Sequence, residues 1–243
     1  MKQSVFTILY FTVGIVFIVL EAIKGTSMFY VSLGAKALII PLLMVYYHSQ
    51  IKVRYTSFHR IMMFAFFFSW IGDVMLQFAN EGFELYFSPD SFFIFGLGGF
   101  LITQLLYTLA FSLPKGKNLI FNKRIYQTIL VLAYGFLLMW LLYNKLGDFK
   151  IPVIIYAIII HAMLLSALNR YGKVNGVSYI VVVVGALLFL ASDSMIAINK
   201  FLEKFDFARV LIMSTYITAQ YLIAIGSLKQ DLIKTDNGEE IKN

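Results

Sequence analysis

The sequence predicts an all-α, polytopic membrane helical bundle with about eight transmembrane helices. The 243 residues are 60% hydrophobic and only 14% charged, whereas roughly 25% of the residues in an ordinary soluble domain are charged. Apolar runs long enough to cross the roughly 30 Å hydrocarbon core of a bilayer recur along the whole chain. The lysine and arginine residues fall mostly in the short segments between these runs. A water-soluble globule is therefore excluded.

The apolar runs between polar breaks predict eight spans, at residues 4–20, 29–47, 61–79, 91–113, 125–143, 152–168, 177–198 and 208–227. No linker-like composition separates them, so residues 1–228 are predicted to form a single transmembrane helical domain. Residues 229–243 are polar and are predicted to form a cytoplasmic tail. The first run lacks a small-residue cleavage site before Glu21, which favours a span over a cleaved signal peptide.

An even number of spans puts both termini on one side of the membrane, and the basic residues indicate which side. The side of the termini holds 13 of the lysine and arginine residues: Lys2, Lys52, Arg54, Arg60, Lys115, Lys117, Lys123, Arg124, Arg170, Lys173, Lys229, Lys234 and Lys242. The opposite side holds 6: Lys24, Lys145, Lys150, Lys200, Lys204 and Arg209. Both termini are therefore predicted to be cytoplasmic, in a multi-pass protein of the cell membrane.

Composition also restricts the chemistry. The chain has no cysteine, which excludes disulfides, thiolate nucleophiles and thiolate metal sites. Its three histidines, at positions 48, 59 and 161, do not have the spacing of a zinc site, and His161 is expected to be a hydrogen-bonded packing residue. No metal and no cofactor are expected. The net charge of +7 is explained by topology, so the predicted partner is the bilayer and not nucleic acid; the oligomeric state is left open.

Three ionisable residues inside the predicted spans need an explanation: Lys36, Asp73 and Asp193. A central Asp or Lys opposes membrane insertion by about 2.5 to 3.5 kcal/mol, so three separate charges would oppose it by roughly 8 to 10 kcal/mol. In the predicted topology all three lie in the outer half of the membrane, and we expect them to form one buried cluster. The candidate substrate-binding residues are the other polar residues of the spans: Gln104, Tyr107, Tyr156, Ser192, Tyr216 and Gln220.

The two aspartates can supply acid and base chemistry. Two carboxylates and one ammonium leave a net negative charge in a low dielectric, which favours retaining one shared proton on the aspartate pair. One aspartate would then be an acid and the other a base, as acid-catalysed hydrolysis through an oxocarbenium-like state requires. Asp73 and Asp193 are therefore candidate catalytic residues of a hydrolase.

Other functions remain open at this point. The three charges could form an ion-pair network that orients the helices, or an ion-coupling site in a transporter. Transporters often have broken helices with paired Gly or Pro interruptions, and here only Pro41 lies well inside a span. An intramembrane aspartyl protease also needs two membrane aspartates, but the residues before Gly72 do not complete its Gly-x-Gly-Asp motif, and such a site leaves Lys36 unexplained.

The chain contains a weak internal sequence similarity. Phe-Ser-Trp-Ile-Gly-Asp, ending at Asp73, is similar to Phe-Leu-Ala-Ser-Asp, which ends 120 residues later at Asp193. The span after each aspartate contains a glutamine, Gln104 or Gln220. These similarities predict a possible four-plus-four tandem repeat, with halves related by an axis along the membrane normal.

Several motifs, in order along most of the chain, resemble those of the YhhN-type lysoplasmalogenase family of multi-pass membrane hydrolases. Lys-Ala-Leu-Ile-Ile-Pro-Leu-Leu at residues 36–43 resembles its Lys-Pro-Leu-x-x-Pro-Leu-Leu, and the segment 68–73 resembles its Phe-Ser-x-x-Gly-Asp. The segment 185–197 resembles its Gly-Ala-x-Leu-Phe-x-x-Ser-Asp-x-x-Leu-Ala, and the last span resembles its last span. Two departures are Ala37, in place of a usual proline, and Gln104, where members commonly carry histidine.

The resemblance implies hydrolysis of the vinyl ether bond of a lysoplasmalogen, a lysophospholipid substrate, to a fatty aldehyde and glycerophospho-ethanolamine or -choline. The aspartate pair can supply the acid and the base for this cleavage, and Lys36 is the third candidate catalytic residue. Lys36 could set the number of protons that the aspartate pair retains and could hold an attacking water. Gln220 and Tyr216 could orient substrate oxygens by hydrogen bonds. Because glutamine does not titrate, the resemblance supports no proton transfer by Gln104.

The predicted orientation can be measured directly. A reporter fused after Asn243 should report the cytoplasm, and a reporter inserted beside Glu84 should report the opposite side, because 13 basic residues flank the first side and 6 flank the second. The reverse result at both positions would contradict the orientation and, with it, the shared depth of the three charges.

Overall fold

The structure, a computed structural model, describes residues 2–23, 29–51, 55–81, 87–114 and 125–230, and it confirms an all-helical protein with eight helices long and apolar enough to cross a membrane. The helices are α1 (Gln3–Ala22), α2 (Phe29–Gln50), α3 (Ser57–Glu81), α4 (Pro89–Ser112), α5 (Ile125–Leu142), α6 (Lys150–Leu168), α7 (Gly176–Ala197) and α8 (Ala208–Leu228). Most of the predicted tail, residues 231–243, lies outside the described residues, as do Lys24, Lys52, Arg54 and Glu84.

The helices extend beyond the predicted spans where polar residues continue the helical path. α7 passes into a π-helical turn, Ile198–Leu202, in which Asn199 Oδ1 accepts a hydrogen bond from the backbone N–H of Phe205. In the same turn, Lys200 forms an ion pair of 3.1 Å with Asp90 at the start of α4. Hydropathy alone ends a span at the first polar residues, and these contacts continue the helix past them.

Seven of the eight helices form a closed ring of neighbours. α1 packs on α2, α2 on α3, α3 on α4, α4 on α6, α6 on α7 and α7 on α8, and α8 returns to α1 and α2. α5 lies outside this ring, against α6 and the π-helical turn. Only Thr128 and Leu142 are buried in α5. The ring therefore holds the interior of the bundle, and α5 is a peripheral helix.

Glycines allow the backbones of two helix pairs to approach closely. A Cβ on Gly99 of α4 would lie 2.9 Å from the backbone nitrogen of Gly72 and 3.0 Å from the carbonyl oxygen of Phe68, both in α3. A Cβ on Gly185 of α7 would lie 3.0 Å from the carbonyl oxygen of Ala219 in α8. Small residues at such contacts are a common means of packing helices in membranes. The two aspartate-bearing helices, α3 and α7, are held by these contacts.

A proline fixes α2 against α3. Pro41 lies inside α2 and has no N–H for the carbonyl of Ala37, four residues earlier. The indole N–H of Trp70 in α3 donates to that carbonyl, with a distance of 2.9 Å. Because Ala37 follows Lys36 and Trp70 precedes Asp73 by three residues, this bond places Lys36 beside Asp73.

Arg170 differs from the loop residue that the charge pattern predicts. It is fully buried after the end of α6, and its Nη2 donates to Ser178 Oγ at 2.9 Å and to Gln230 Oε1 at 2.8 Å. Its guanidinium carbon lies 5.3 Å from the ring centre of Phe111. Burial lowers the pKa of Arg170 to about 10, so Arg170 stays cationic at neutral pH. It joins the C-terminal ends of α4 and α8 to the N-terminal end of α7.

The glycine contacts predict a sharp difference between adjacent positions. Gly99→Ala should lower the stability of the purified protein in detergent by roughly 1 to 3 kcal/mol, because the new methyl group would meet backbone atoms that cannot rotate away. Gly98→Ala is the matched control, since no atom lies within 4 Å of a Cβ at that position. Thermal unfolding of the two variants tests this; equal melting temperatures would contradict the close contact of α3 and α4.

Candidate active site

Asp73 lies in the interior of the bundle, where its exposed fraction is 2%. The hydroxyl of Tyr216, in α8, donates to Asp73 Oδ2 at 2.6 Å. The same hydroxyl lies 2.8 Å from Ser69 Oγ, one turn before Asp73 on α3. A buried carboxyl group needs such a partner because no water surrounds it, and here the partner comes from the far end of the sequence.

Asp193 has a similar arrangement on α7. It is half-buried, and its Oδ2 accepts a short hydrogen bond from the hydroxyl of Tyr156 in α6. In both aspartates the tyrosine bonds to Oδ2, and Oδ1 has no hydrogen-bond partner among the described residues. Each carboxyl group is therefore oriented by one bond and keeps one oxygen available.

The two aspartates interact electrostatically but do not bond to each other. The charge of Asp73 acts on Asp193. The described residues contain no hydrogen bond between the two carboxyl groups. The two groups are thus neighbours with separate tyrosine partners. A proton on this pair would be held by one carboxyl group rather than between the two.

Lys36 supplies the third charge of the cluster. Its exposed fraction is 4%, and its ammonium interacts electrostatically with Asp73 and Glu21. Neither a hydrogen bond nor a direct ion pair joins Lys36 to another described residue, and its Nζ lies 5.6 Å from the centre of the Phe17 ring. The structure therefore places Lys36 on the side of Asp73, and none of the described contacts joins Lys36 to Asp193.

A chain of hydrogen bonds continues from Asp73 through neutral polar residues. Tyr107 donates to Gln220 Oε1 at 2.7 Å, and Gln220 Nε2 donates to Ser69 Oγ at 2.6 Å. Ser69 then contacts Tyr216, which bonds to Asp73. The predicted substrate-binding residues Tyr107, Tyr216 and Gln220 are all buried and belong to this chain, so their polar groups are already partnered within the protein.

Gln104 and Ser192 have opposite environments. Gln104 is fully buried, and its amide interacts with the neighbouring hydroxyl of Tyr156. Neither amide atom makes a hydrogen bond of ordinary length and angle with another group of the protein. The hydroxyl of Ser192 donates to the backbone carbonyl of Ile212 in α8 at 3.0 Å. Ser192 therefore serves helix packing in this structure, whereas Gln104 holds an unused donor and acceptor next to the Tyr156–Asp193 pair.

A group of hydrogen-bonded polar residues one helical turn beyond Asp73, formed by Gln77, Glu21 and Arg209, was not predicted from the sequence. Gln77, one turn after Asp73, donates to Glu21 Oε1 at 2.7 Å, and Arg209 donates to Glu21 Oε2 at 2.8 Å. Gln77 Nε2 also lies 3.4 Å from Ser32 Oγ. The spacing of Ser69, Asp73 and Gln77 on one face of α3 was the available signal. Glu21 and Arg209 lie at span ends, where charged residues are ordinary.

A cavity of about 50 Å³ adjoins Asp193 between α5, α6 and α7. Asp193, Tyr156 and His161 are among its polar lining residues. Nδ1 of His161 lies 2.6 Å from the carbonyl oxygen of Ala157, as expected for a packing histidine, and its Nε2 has no partner. A water needs about 10 to 15 Å³ of such space, so the cavity has room for a few atoms of substrate or water.

The arrangement is equipped for proton transfer. Two carboxyl groups with one available oxygen each, a neighbouring ammonium and an adjoining cavity can donate a proton to one atom and accept a proton from another. Within the part of the chain that the structure describes, no group of three His, Cys, Asp or Glu residues could hold a metal ion.

Comparison with known proteins identifies the relatives of this chain. The model of the YhhN family matches residues 31–227. The lysoplasmalogenase TMEM86A of Bos taurus is 32% identical over 166 residues, which is 67% of this chain and 62% of that protein. The lysoplasmalogenase TMEM86B of Homo sapiens is 32% identical over 145 residues, 59% of this chain and 58% of that protein.

A bacterial relative is similar to the same extent. The lysoplasmalogenase of Mycobacterium bovis is 33% identical over 138 residues, 55% of this chain and 50% of that protein. The matched parts thus span about half to three-fifths of these relatives, and no solved structure matches the chain. Because the family model covers most of the sequence, including Lys36 and both aspartates, this chain belongs to the YhhN family.

Proposed function

We propose that this protein is a lysoplasmalogenase of the cell membrane, which hydrolyses the vinyl ether bond of lysoplasmalogens by carboxylate acid-base catalysis. The observation that carries the proposal is the pair of neighbouring carboxyl groups, Asp73 and Asp193, each oriented by a tyrosine and each with one available oxygen. Membership of the YhhN family and similarity to proteins named lysoplasmalogenase support the choice of substrate.

The chemistry matches what two carboxyl groups can do. A vinyl ether is protonated on the carbon that does not bear the oxygen, which gives an oxocarbenium ion. Water then adds to the carbon bonded to oxygen and gives its proton to a base. The hemiacetal collapses to a fatty aldehyde, and the glycerol oxygen of glycerophospho-ethanolamine or -choline takes up a proton. One acid and one base are sufficient for these steps, and no metal or cofactor is needed.

The surrounding residues have supporting roles in this proposal. Lys36 favours a negative charge on its neighbour Asp73 and can help to hold the attacking water. The hydrogen-bond chain through Gln220 and Tyr107 fixes the orientation of Tyr216 and so of Asp73. The unpartnered amide of Gln104 can bond to an oxygen of the lipid or to water beside Tyr156.

The substrate is expected to enter from the bilayer. A lysophospholipid resides in the membrane leaflet, and the cavity beside Asp193 lies next to the peripheral helix α5, whose residues are mostly exposed on the outside of the bundle. The lipid therefore needs no passage through water to reach the aspartates.

Substitution of the aspartates tests the catalytic pair. Asp73→Asn and Asp193→Asn keep the size of the side chain and its bond from tyrosine while removing the ionisable group. Each should lower kcat about 10² to 10⁴-fold, measured as aldehyde released from a lysoplasmalogen. The double variant should lose far less than the product of the two effects, because the residues act as a unit.

Melting temperatures separate catalysis from folding in this series. Asp90→Asn is the matched control, because Asp90 is an exposed aspartate whose only described ion pair is with Lys200. It should keep normal turnover. If the charges only oriented helices, the two site variants would lose thermal stability but retain turnover in the folded fraction. Near-normal kcat in either site variant would contradict the catalytic pair.

Gln104 provides a second and independent test. Gln104→Met keeps the length of the side chain and removes an amide that lies beside the Tyr156 hydroxyl but makes no hydrogen bond of ordinary geometry within the protein. Stability should be unchanged or slightly higher, since an unbonded buried amide is costly, whereas kcat/KM should fall roughly 2 to 10-fold through the loss of one hydrogen bond. Gln127→Met on α5, whose Oε1 is also unpartnered, is the control and should keep full activity. Full activity of Gln104→Met would exclude a substrate contact.

A further inference from the structure

The two aspartates differ in the charge beside them. Lys36 lies on the side of Asp73, because the bond from Trp70 to the Ala37 carbonyl fixes α2 against α3. No lysine or arginine among the described residues forms an ion pair with Asp193. Asp193 instead has the neutral hydroxyl of Tyr156. A neighbouring cation favours the ionised form of a carboxyl group, and burial without a cation favours the protonated form.

The difference between a lysine beside Asp73 and a tyrosine beside Asp193 occurs at positions related by the internal sequence similarity. Asp73 and Asp193 are separated by 120 residues, and so are Lys36 and Tyr156. In the predicted tandem repeat, α2 and α6 present a lysine and a tyrosine at corresponding positions, each on the helix that precedes the aspartate-bearing helix, α3 or α7. Two similar carboxyl sites are made unequal by one exchange of an ammonium for a hydroxyl.

The surroundings differ in polarity as well. From Asp73 a polar path leads through Gln77 to Glu21 and the partly exposed Arg209 at the outer end of the bundle. Asp193 faces the cavity, whose lining is mostly apolar and includes Leu138, Met139, Leu142, Val153, Ile160 and Leu190. Tyr156, His161 and Ser194 are its other polar lining residues. An amphiphile that spans both aspartates would therefore have its polar end toward Lys36 and Gln77 and its aliphatic chain toward α5 and α6.

We propose that the cavity between α5, α6 and α7 binds the first carbons of the alk-1-enyl chain, with Asp193 as the acid and Asp73 as the base. The inference rests on the proposed lysoplasmalogenase function. The carbon of a vinyl ether that accepts the proton is the second carbon of the chain, on the side of the cavity. The carbon that accepts water bears the ether oxygen, on the side of the polar headgroup.

The proton balance of the reaction is complete with these two residues. The Asp193 carboxyl gives its proton to the second chain carbon, and the double bond becomes a C–H bond and an oxocarbenium ion. The water oxygen bonds to the first carbon, and its proton passes to the Asp73 carboxylate. When the carbon–oxygen bond to glycerol breaks, the hemiacetal hydroxyl becomes the aldehyde, the glycerol oxygen gains the proton of Asp73, and the hydroxyl proton returns to Asp193.

Infrared spectroscopy of the purified protein at neutral pH measures which aspartate is protonated. The wild-type protein should show the C=O stretching band of a buried carboxylic acid, which shifts in D₂O. Asp193→Asn should abolish this band and Asp73→Asn should retain it; Asp90→Asn is the control and should also retain it. Loss of the band in Asp73→Asn with retention in Asp193→Asn, or absence of the band in the wild-type protein, would overturn the assignment.

Photolabelling measures the position of the chain without requiring turnover. The probe is a 1-O-alkyl lysophosphocholine, which has no vinyl group to hydrolyse, with a diazirine on the third chain carbon. Adducts that excess lysoplasmalogen suppresses should map to α5 and α6 around Met139 and Val153, in the wild-type protein and in Asp193→Asn. Competable adducts around Phe17 in α1, or none that lysoplasmalogen suppresses, would overturn the orientation.

A kinetic arm distinguishes this inference from the function on which it rests. Ala157→Leu adds bulk to the cavity wall and should lower kcat/KM about 10-fold or more, whereas Ala133→Leu, at an exposed position of α5, should have no effect. An unaffected Ala157→Leu enzyme would count against the chain site alone. A wild-type protein that releases no aldehyde would instead remove the proposed function.

Discussion

A carboxyl group inside a bilayer is tolerated only if other groups of the protein bond to it or balance its charge, and the interior of this bundle is organised around two such groups. Asp73 depends on Tyr216 and Lys36, and Asp193 depends on Tyr156. These three partners come from three helices that are distant in sequence, α2, α6 and α8. The requirement to bring them together therefore fixes the relative positions of most of the ring.

The helix contacts meet this requirement with different degrees of tightness. Glycines bring α3 onto α4 and α7 onto α8 so closely that a single methyl group would touch backbone atoms. The bond from Trp70 to the carbonyl left free by Pro41 fixes α2 against α3. By contrast, α5 buries little of its surface. A rigid ring around the aspartates combined with a loosely packed helix beside the cavity suits a lipid substrate, which needs fixed reacting groups and an entrance from the membrane.

Much of the fold and the centre of the site followed from the sequence, because hydropathy identifies spans and a charge inside a span is conspicuous. The number of helices and the placement of Lys36 near Asp73 needed no tertiary information. Identifying the partners of the aspartates did require the tertiary structure. Tyr156 and Tyr216 were candidates only because they are polar residues inside spans, and nothing in the sequence says which hydroxyl bonds to which carboxyl group. Ser192 illustrates the same limit, since its hydroxyl bonds to the Ile212 carbonyl of the next helix. The choice of substrate came from family resemblance.

Acid-base catalysis by two identical side chains requires that their environments differ, because carboxyl groups in equal surroundings would have no reason to divide the roles of acid and base. A tandem repeat would by itself create equal surroundings, with each aspartate at the same depth and next to the same kinds of helices. In such a repeat, the tyrosine that stands 120 residues after Lys36 would break that equality. Tyr156 can still bond to Asp193, as a buried carboxyl group requires, but it brings no charge. In the proposed assignment of acid and base, the lysine beside Asp73 and the tyrosine beside Asp193 are the difference that would keep the proton on Asp193.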